Sequence, residues 1–303
     1  MSHKVLHLID SGGLYGAEMM LLNLVGEQLK SGLQPLILSA GTPDVEEKQI
    51  EKEAIKRGYP LKTIRMRAGI DLRQTYKIIV FARQEGFDIL HSHGYKFNIL
   101  LGLFPRFVRR IPVLTTIHGY VCSRKYSKMW VYQVLDRLLI KRFEHIVFVN
   151  KHMLEQPFFR NEKYRSYSVI NNGINVSNEI ARLKHQKTYF PGDVINSFAS
   201  GANPLIGAIS RLSPEKGLQD LLSAFRDVVN LFPQARLLVV GDGRYRKQLE
   251  EKVEELGLSD SVKLAGYSNE TYYYLSRFDL FVIPSHTEGL PMVLLEAMIA
   301  EKL

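Results

Sequence analysis

The stretch 5-VLHLIDSGGLYGAEMMLLNLVGEQLKSGLQPLILS-39 decides the fold class of this chain. An apolar run at 5–9 is followed by a glycine loop, a segment of helical period at 17–30 and a second apolar run at 35–39. Neither run alternates with polar residues, as is typical of parallel strands covered on both faces. The order strand, helix, strand therefore predicts one unit of a doubly wound parallel sheet.

The same alternation continues through the first 150 residues and restarts near residue 205. The polar segment 175–203 separates the two series, and we interpret it as an interdomain connection because it has weak periodicity and carries Pro and Gly. The sequence predicts two Rossmann-like doubly wound α/β domains, at 1–187 and 188–303, with ligands in the cleft between them. Further strands are predicted at 88–91, 112–117, 145–149, 205–210, 235–240, 262–264 and 280–283, and further helices at 44–57, 72–85, 128–143, 215–230 and 245–256.

Charge is unevenly distributed along the chain. Residues 1–187 hold 29 Lys and Arg against 16 Asp and Glu, a net +13, whereas residues 188–303 hold 11 against 15, a net −4. The basic half predicts an anionic partner, such as a membrane surface, an acidic glycolipid or nucleic acid, and the alternative is a basic face that serves solubility. No nucleic-acid recognition motif accompanies the charge, so nucleic acid is not expected as a partner.

Two segments of the basic half mix apolar and basic residues at helical spacing, at 99–110 and 124–143. This mixture is typical of a helix that lies on a membrane surface, although a core helix with a solvated basic face has the same pattern. No stretch reaches the ~18 consecutive apolar residues of a spanning helix, and the single Cys122 cannot form an internal disulfide. We therefore expect a cytoplasmic protein that binds the inner face of the membrane peripherally.

The glycine loop 11-SGGLYGAE-18 lies between the first strand and the first helix, where helix N–H groups favour an anion. Its spacing is GGxxG, and 34-QPLILSAG-41 supplies no acidic residue about 20 positions on, so a nicotinamide site is not expected. Gly12 and Gly13 are candidate ligand-binding residues. The alternative is that these glycines only permit a tight turn.

Two histidine-glycine steps, 91-HSHGY-95 and 115-TTIHGY-120, follow predicted strands. Strand ends of this fold class face the ligand, so His118, and with less weight His93, is a candidate hydrogen-bond donor or proton carrier. A metal site is not expected, because Cys122 is the only thiol and the histidines have neither His-x3-His spacing nor an accompanying carboxylate cluster.

In 209-ISRLSPEKGLQDLLSAF-225, Arg211 and Lys216 bracket a predicted helix start. Two cations beside helix N–H groups predict a diphosphate clamp, and the alternative is a surface pair near a cap. In 239-VVGDGRYRKQLEE-251, Gly241 and Gly243 would let a ligand or the neighbouring chain approach the backbone closely.

The stretch 286-HTEGLPMVLLEAM-298 places Glu288 before a helix predicted to start at Pro291, and Glu296 on its second turn. N–H groups from Gly289 and Leu290 to Val293 form another anion site. An anion there would be flanked by two carboxylates that accept hydrogen bonds from hydroxyls, which is the layout of a nucleotide sugar. The alternative places Glu288 at the helix dipole and Glu296 on the exposed outer face.

These segments together resemble the retaining glycosyltransferases of the GT-B fold, family 4, in the expected order through SGGLYGAE, HSHG, TTIHGY, NNGIN, GAISRLSPEKG, LLVVGDG, LAGY and PSHTEGLPMVLLEAM. The resemblance implies sugar transfer from a nucleotide-sugar donor, with retention and front-face attack, to a glycan or lipid-linked acceptor. Neither a cofactor nor a metal is expected, and no Asp-x-Asp triplet is present.

The resemblance also implies roles for individual residues. Glu288 would contact the donor sugar, Glu296 the ribose, and Arg211 and Lys216 the diphosphate. The implied contacts elsewhere are His118 beside the sugar, Gly12 and Gly13 near the phosphates and acceptor, and Gly266 and Tyr267 with the base.

One departure from the family pattern is that the sequence stops at EAMIAEKL, within the helix that carries Glu296. The expectation is a truncated second domain. Two alternative functions stay open at this point: a remnant that binds nucleotide or membrane without turnover, and a nucleotide-sugar epimerase.

Overall fold

The computed structural model describes residues 2–119, 125–187 and 193–302. The chain divides into two compact units, Met1–Asn172 and Gly173–Leu303. Cys122, Tyr120 of the TTIHGY motif and residues 188–192 of the predicted connection lie outside the described residues. None of the described helices combines the length and the apolar character needed to cross a membrane.

The first unit is built on a parallel sheet, which has seven strands among the described residues, in the order β3-β2-β1-β4-β5-β6-β7. The strands are β1 (Lys4–Ile9), β2 (Gln34–Gly41), β3 (Leu61–Arg65), β4 (Ile89–Ser92), β5 (Val113–Ile117), β6 (His145–Phe148) and β7 (Tyr167–Val169). The helices are α1 (Gly16–Lys30), α2 (Gln49–Lys56), α3 (Leu72–Gln84), α4 (Tyr95–Gly102), α5 (Arg106–Arg109) and α6 (Lys128–Ile140), with a 3-10 helix at Lys151–Glu155.

The order of strands reverses between β1 and β4, which are paired in parallel, with His7 opposite His91. Such a reversal opens a crevice at the carboxyl ends of the two strands, where ligands of doubly wound sheets bind. Side chains of the two sheet faces and the helices form the core, which includes Leu6, Leu8, Phe97 and Phe148.

Local signals position the helices around this sheet. Asp71 caps α3 by accepting a hydrogen bond from the Gln74 amide at 3.0 Å, and Ser127 caps α6 through the Trp130 amide at 3.1 Å. These side chains replace missing intrahelical partners of the first turn.

The second unit contains a sheet of four parallel strands among its described residues, in the order β10-β9-β8-β11. The strands are β8 (Leu205–Ile209), β9 (Arg236–Val240), β10 (Val262–Gly266) and β11 (Leu280–Phe281). The helices are α7 (Val176–Lys187), α8 (Asp193–Ala199), α9 (Leu218–Leu231), α10 (Arg246–Glu255), α11 (Thr271–Leu275) and α12 (Met292–Ile299), with a 3-10 helix at Pro214–Lys216. Two apolar clusters cover the two faces of this sheet. The strand order here reverses between β8 and β11, so the candidate ligand site lies at their carboxyl ends.

The structure corrects the predicted connection at 175–203. This segment contains α7 and α8, and α7 packs against α11 and α12 of the second unit. The division between the units accordingly falls after Asn172 and not after residue 187. Polar composition concealed a helix that contributes only a few side chains, such as Leu183, to the apolar core.

Two further corrections concern helix starts. The helix predicted at 215–230 is interrupted because Gly217 adopts a left-handed conformation, with φ of 63°, between the 3-10 helix and α9. The helix predicted to start at Pro291 begins at Met292, and Pro291 occupies the preceding cap position with extended backbone. Arg211 and Lys216 therefore flank a short 3-10 helix instead of the start of a long α-helix.

Candidate functional site

In the first unit, the loop after β1 brings Gly12 and Gly13 to the carboxyl end of the sheet. Neither glycine has a positive φ, so the turn itself does not require glycine. A Cβ on Gly12 would meet no described atom within 4 Å, whereas a Cβ on Gly13 would lie 2.5 Å from the Tyr15 ring. A side chain at residue 13 would therefore require the Tyr15 ring to move, whereas Gly12 leaves the backbone open at the strand end.

The predicted anion site at the start of α1 already holds a carboxylate of the chain. Glu18 is buried, and its Oε2 accepts a hydrogen bond from the Tyr15 amide at 3.0 Å. A second anion at this helix start would meet the charge of Glu18. The loop at Gly12 is therefore better placed for a ligand than the first turn of α1.

A lysine-aspartate-lysine group, which sequence reasoning missed, lies at the same end of the sheet. Asp10 contacts Lys48 Nζ at 2.5 Å and Lys96 Nζ at 2.6 Å, and the two lysine side chains are 11% and 16% exposed. The group carries one net positive charge, which favours an anionic ligand nearby. Its signal in the sequence was the position of Asp10 directly after the first predicted strand, with Lys96 five residues after the strand predicted at 88–91.

Four histidines lie close together in the first unit: His7 on β1, His91 on β4, His93 directly after β4 and His118 directly after β5. His93 Nε2 lies 3.0 Å from His7 Nδ1, and His93 Nδ1 lies 3.2 Å from His118 Nε2. His7 Nε2 lies 2.7 Å from Gln28 Oε1, so the series of hydrogen-bonded side chains continues to Gln28 on α1. The structure thus brings His118 and His93 together, and it adds His7 and Gln28, which sequence reasoning did not select.

Burial keeps these imidazoles neutral. It lowers the pKa of His7 to about 4, against the hydrogen bond that His7 donates to Gln28, which raises it, and it lowers the pKa of His118 to about 4. The pKa values of His91 and His93 also lie well below the ordinary value, because of burial first and neighbouring histidines second. At neutral pH each ring therefore carries one proton and offers one acceptor.

The same rings are the candidate metal ligands of the described residues. His7, His91 and His93 each offer one nitrogen, and these atoms lie within 4.8 Å of one another. However, the facing nitrogens of His7 and His93 already share a hydrogen bond at 3.0 Å, and within the described ranges no carboxylate joins the three. A divalent cation would keep its charge uncompensated in a buried site, which is costly.

In the second unit, the turn after β8 and the loop after β11 are joined by an ion pair. Lys216 Nζ lies 2.5 Å from Glu288 Oε1, and the Ser285 hydroxyl donates to the same oxygen at 2.7 Å. The His286 amide also donates to the Glu215 carbonyl oxygen at 3.0 Å. Lys216 and Glu288 are therefore held together at the point where the strand order reverses.

Arg211 also has a carboxylate partner. Its Nη2 lies 2.7 Å from Glu215 Oε1, which accepts a further hydrogen bond from Ser213 at 2.7 Å. Burial by itself would raise the pKa of Glu215, but the hydrogen bonds from Ser213, from the backbone of Glu215 itself and from Arg211 together outweigh burial and leave the pKa below its usual value. Glu215 thus connects Arg211 and Ser213 within the turn, and the Arg211 side chain is 47% exposed.

Glu296 is buried on α12, which contradicts the alternative of an exposed outer face. Its Oε1 lies 3.7 Å from Arg182 of α7, and Glu179 is the nearer partner of that guanidinium, at 2.6 Å. Burial raises the pKa of Glu296 to about 7, and Arg182 only partly opposes this shift. Sequence reasoning missed Arg182 because it missed α7.

Gly241 and Gly243 of the second unit are explained mainly by the close approach of neighbouring backbone segments of the same unit. The Gly241 amide donates to the Gly266 carbonyl at 2.8 Å, and a Cβ on Gly241 would lie 1.8 Å from the Ser210 oxygen. A Cβ on Gly243 would lie 2.3 Å from the Leu212 oxygen. Tyr267, next to Gly266, is 36% exposed at the end of β10.

Two of the predicted site residues, Gly289 and Leu290, lie half-buried in the loop between Glu288 and α12. The structure thus pairs Lys216 with Glu288 beside this loop and Arg211 with Glu215 of the adjacent turn, whereas Glu296 is buried next to Arg182 of α7.

Family comparisons agree with this division of the chain. A sequence model described as Glycosyltransferase Family 4 matches residues 15–178, more than half of the chain. A second model, described as Glycosyl transferases group 1, matches residues 195–303.

Curated relatives match over much of the chain. The UDP-Gal:alpha-D-GlcNAc-diphosphoundecaprenol alpha-1,3-galactosyltransferase of Escherichia coli is 26% identical over 75% of this chain and 59% of its own length. The alpha-monoglucosyldiacylglycerol synthase of Streptococcus pneumoniae is 28% identical over 73% of this chain and 52% of its own length. The chain therefore spans between half and three fifths of the length of these two relatives.

Solved structures share the fold. The HepE protein of Anabaena in complex with UDP-glucose is 22% identical, with a TM-score of 0.77 over 99% of this chain and 79% of the other. The likeness confirms the predicted two-domain α/β fold with parallel sheets.

Proposed function

The chain belongs to glycosyltransferase family 4, and from this premise we propose that it transfers a sugar from a nucleotide-sugar donor to a glycan or lipid-linked acceptor. The reaction would serve the synthesis of cell-surface polysaccharide or lipopolysaccharide. The observation that carries the proposal is the ion pair of Lys216 and Glu288 at the strand reversal of the second sheet. Lys216 can bind phosphate, and Glu288 can accept hydrogen bonds from hydroxyls. The two are paired near the carboxyl ends of β8 and β11, where this fold class binds ligands.

In this proposal the second unit binds the donor. Lys216 and Arg211 contact the diphosphate, because an ammonium and a guanidinium are the side chains that bind phosphate oxygens best. Glu288, with Gly289 and Leu290 beside it, accepts hydrogen bonds from the sugar. Glu296 faces the ribose, and the backbone of Gly266 and Tyr267, next to Gly241, contacts the base.

The chemistry rests on charge stabilisation. As the bond to the sugar breaks, negative charge develops on the diphosphate and positive charge on the sugar ring, so Lys216 and Arg211 stabilise the transition state more than the ground state. We propose retention of configuration by front-face attack, with His118 and Gly12–Gly13 of the first unit contacting sugar and acceptor. Neither a metal ion nor another cofactor takes part in the proposed reaction.

A UDP-sugar is the first donor to test. The Escherichia coli relative is named for UDP-Gal, and the Anabaena structure contains UDP-glucose. Both likenesses are distant, so GDP- and ADP-sugars belong in the same screen.

The acceptor and the membrane are linked in the proposal. The names of the two relatives contain diphosphoundecaprenol and diacylglycerol, both of which are lipids. The described part of the first unit contains exposed apolar side chains near basic ones: Phe107 on α5 is 78% exposed, and Leu138 on α6 is 51% exposed. Arg109 is buried and so is not part of this surface. We propose that α5 and α6 bind the anionic inner face of the cytoplasmic membrane.

Calorimetric titration with UDP-, GDP- and ADP-sugars tests the proposal. We expect one donor to bind to the wild type and to bind more weakly to Lys216→Met and Glu296→Ala. Incubation of the bound donor with lipid-linked acceptors then tests transfer. If no donor bound to the folded protein, the proposed function would be wrong, and binding without transfer to any acceptor would favour a protein that binds donor without turnover.

A further inference from the structure

A continuous row of hydrogen bonds connects Gln28 on α1 to His118 after β5. It passes from Gln28 Oε1 to His7 at 2.7 Å, from His7 to His93 at 3.0 Å, and from His93 to His118 at 3.2 Å. His7 and His93 are 0% and 5% exposed, so water does not compete for the contact between them. Each of the two buried histidines uses one ring nitrogen towards α1 and the other towards His118.

The row has a direction, which the amide oxygen sets. An amide oxygen only accepts hydrogen bonds, so His7 carries its proton on Nε2 and presents Nδ1 as an acceptor. A neutral imidazole has one N–H, and His93 must therefore donate from Nε2 to His7 and accept at Nδ1. His118 then donates from Nε2 to His93.

The last atom of the row is Nδ1 of His118. This nitrogen is shielded from solvent and has no hydrogen-bond partner within the described ranges 2–119, 125–187 and 193–302. An acceptor that is buried without a donor is unfavourable, and a hydroxyl that reached it would remove this cost. The burial that keeps the four imidazoles neutral preserves the one-proton state on which the direction depends.

We propose that Gln28, His7 and His93 are positioning residues that fix the tautomer of His118, so that its Nδ1 accepts a hydrogen bond from a substrate hydroxyl. The hydroxyl as the ligand rests on the proposed function, in which His118 contacts the sugar or the acceptor. The tautomer itself does not rest on it. Gln28 thereby decides whether His118 accepts or donates, although it lies on a different helix and two rings away.

His91 flanks the row without belonging to it. Its Nε2 lies 2.8 Å from Thr116 Oγ1, and its ring centroid lies 4.0 Å from that of His93. It therefore restricts the ring of His93 through packing and leaves the direction of the hydrogen bonds to Gln28.

Nuclear magnetic resonance tests the tautomer in the whole chain without any substrate. In protein labelled with ¹⁵N-histidine at pH 7.5, two-bond ¹H–¹⁵N correlations distinguish a protonated Nε2 from a protonated Nδ1, and the spectrum of His118→Asn assigns the signal. We expect Nε2–H at His118 in the wild type. Gln28→Met, which removes the acceptor, should give a mixture of tautomers, and Gln28→Lys, which can only donate, should move the proton to Nδ1.

Gln84→Met on α3 is the matched control, because Gln84 is exposed and lies outside the row. The inference is wrong if wild-type His118 carries its proton on Nδ1, or if neither Gln28 variant changes the tautomer. Zinc found in stoichiometric amount in the purified protein, with shifted His7 and His93 signals, would also overturn it, since a bound metal would break the contact between these rings.

Kinetics connects the tautomer to transfer. With a donor and acceptor that react, Gln28→Met should lower kcat about fivefold to tenfold, the value of one neutral hydrogen bond, and leave the KM for the donor nearly unchanged. An unchanged kcat together with a changed tautomer would show that the row positions His118 without use in transfer, which would overturn the hydroxyl contact. Absence of any transfer in the wild type, with the expected tautomer, would count against the proposed function alone.

Discussion

Lys216 and Glu288 form an ion pair of 2.5 Å between the turn after β8 and the loop before α12. The two side chains are only 18% and 24% exposed, and Ser285 donates to the same carboxylate oxygen at 2.7 Å. The pair is therefore more than a surface contact. In the proposed reaction its cation binds the diphosphate and its carboxylate binds the sugar, so each residue positions the other before the donor arrives.

The ion pair predicts that substitutions of Lys216 and of Glu288 affect ligand binding differently. Lys216→Met should weaken the binding of UDP and of a UDP-sugar alike, by about tenfold, because it removes a charge-assisted contact to phosphate. Glu288→Gln should weaken the binding of the UDP-sugar more than that of UDP, since only the sugar contacts residue 288. Calorimetric titration of both ligands measures this.

The exposed pair of Lys247 and Glu251 provides the control for these variants. Lys247 is 85% exposed and lies 3.8 Å from Glu251, so Lys247→Met should leave both affinities unchanged. An equal effect of Glu288→Gln on UDP and on the UDP-sugar would contradict the assignment of Glu288 to the sugar.

Substitution of Gly217 is expected to affect both the stability of the second unit and donor binding. Its φ is 63°, and a Cβ there would lie 2.0 Å from the Pro284 carbonyl oxygen. Gly217→Ala should therefore lower the free energy of unfolding by the left-handed cost of about 1 kcal/mol plus the cost of a backbone shift, and it should weaken donor binding by moving the loop before Glu288.

Gly257→Ala separates these two contributions. Gly257 has a φ of 67°, but a Cβ there would meet no described atom within 4 Å, so the variant should lose only about 1 kcal/mol and keep its donor affinity. Urea denaturation of both variants measures the difference. Equal losses would show that the contact with Pro284 relaxes without cost.

In the first sheet the interior strands were readable from the sequence and the two edge strands were not, whereas all four strands of the second sheet were predicted. The run predicted at 5–9 corresponds to β1 (Lys4–Ile9), and the helix predicted at 72–85 corresponds to α3 (Leu72–Gln84). The missed strands β3 and β7 are edge strands with partly exposed side chains. A strand with one neighbour needs no continuous apolar run, and so it has no such signal.

Some residues of the candidate site were also predicted from the sequence, and others were missed. Arg211 and Lys216 were selected because they bracket a predicted helix start, and Glu288 because it precedes another. The structure pairs Lys216 with Glu288 and Arg211 with Glu215. His7 and Arg182 were missed for different reasons. His7 lies within a strand, and only the register that places it opposite His91 brings it into the histidine row. Arg182 lies on α7, whose polar composition indicated a loop.

Glu296 predicts a pH dependence of the second unit. Because burial raises its pKa from 4.5 to about 7, the folded state binds a proton that the unfolded state has already lost between these pH values. The free energy of unfolding should therefore fall as pH rises from 4.5 to 7, by up to about 3 kcal/mol for this group. Glu296→Gln should remove this contribution.

Hydrogen exchange of the α12 amides, corrected for the intrinsic rates, measures the difference between wild type and Glu296→Gln from pH 5 to 8. Glu251→Gln, at a side chain that is 63% exposed, is the control and should follow the wild type. A difference that stayed constant with pH would contradict the raised pKa.

The histidine row predicts the opposite pH dependence in the first unit. The pKa values of His7 and His118 are lowered from 6.5 to about 4, so the unfolded state binds protons that the folded state does not bind between these values. Stability should be fully present above pH 6.5 and should fall on acidification towards pH 4, by up to about 1.4 kcal/mol per pH unit for each such histidine.

Fluorescence of Trp130, the single tryptophan, reports urea unfolding of this unit. His7→Gln should reduce the slope between pH 6.5 and 4.5, whereas His152→Gln, at a side chain that is 82% exposed, should leave it unchanged. A wild-type stability that was flat over this range would contradict the neutral, buried state of the row.

Phe107 and Leu138 predict how the first unit binds a membrane. Both are exposed, on α5 and α6, in a unit whose residues 1–172 hold 26 Lys and Arg against 15 Asp and Glu. Wild type should bind vesicles of phosphatidylglycerol at low salt and bind more weakly at high salt, because screening weakens the attraction to anionic lipid. Phe107→Ser with Leu138→Ser should weaken binding about tenfold or more, since burial of one large apolar side chain contributes roughly 1.5–3 kcal/mol.

Leu231→Ser is the matched control for vesicle binding, because Leu231 is 76% exposed but lies on α9 of the second unit. Sedimentation with vesicles of phosphatidylglycerol and of phosphatidylcholine measures all three proteins. The control should bind as the wild type does, since its apolar side chain lies outside α5 and α6. Equal loss in the control and in the double variant would mean that exposed apolar area in general, and not the surface of α5 and α6, contacts the lipid. If the wild type did not sediment with phosphatidylglycerol vesicles at low salt, membrane binding through α5 and α6 would be ruled out.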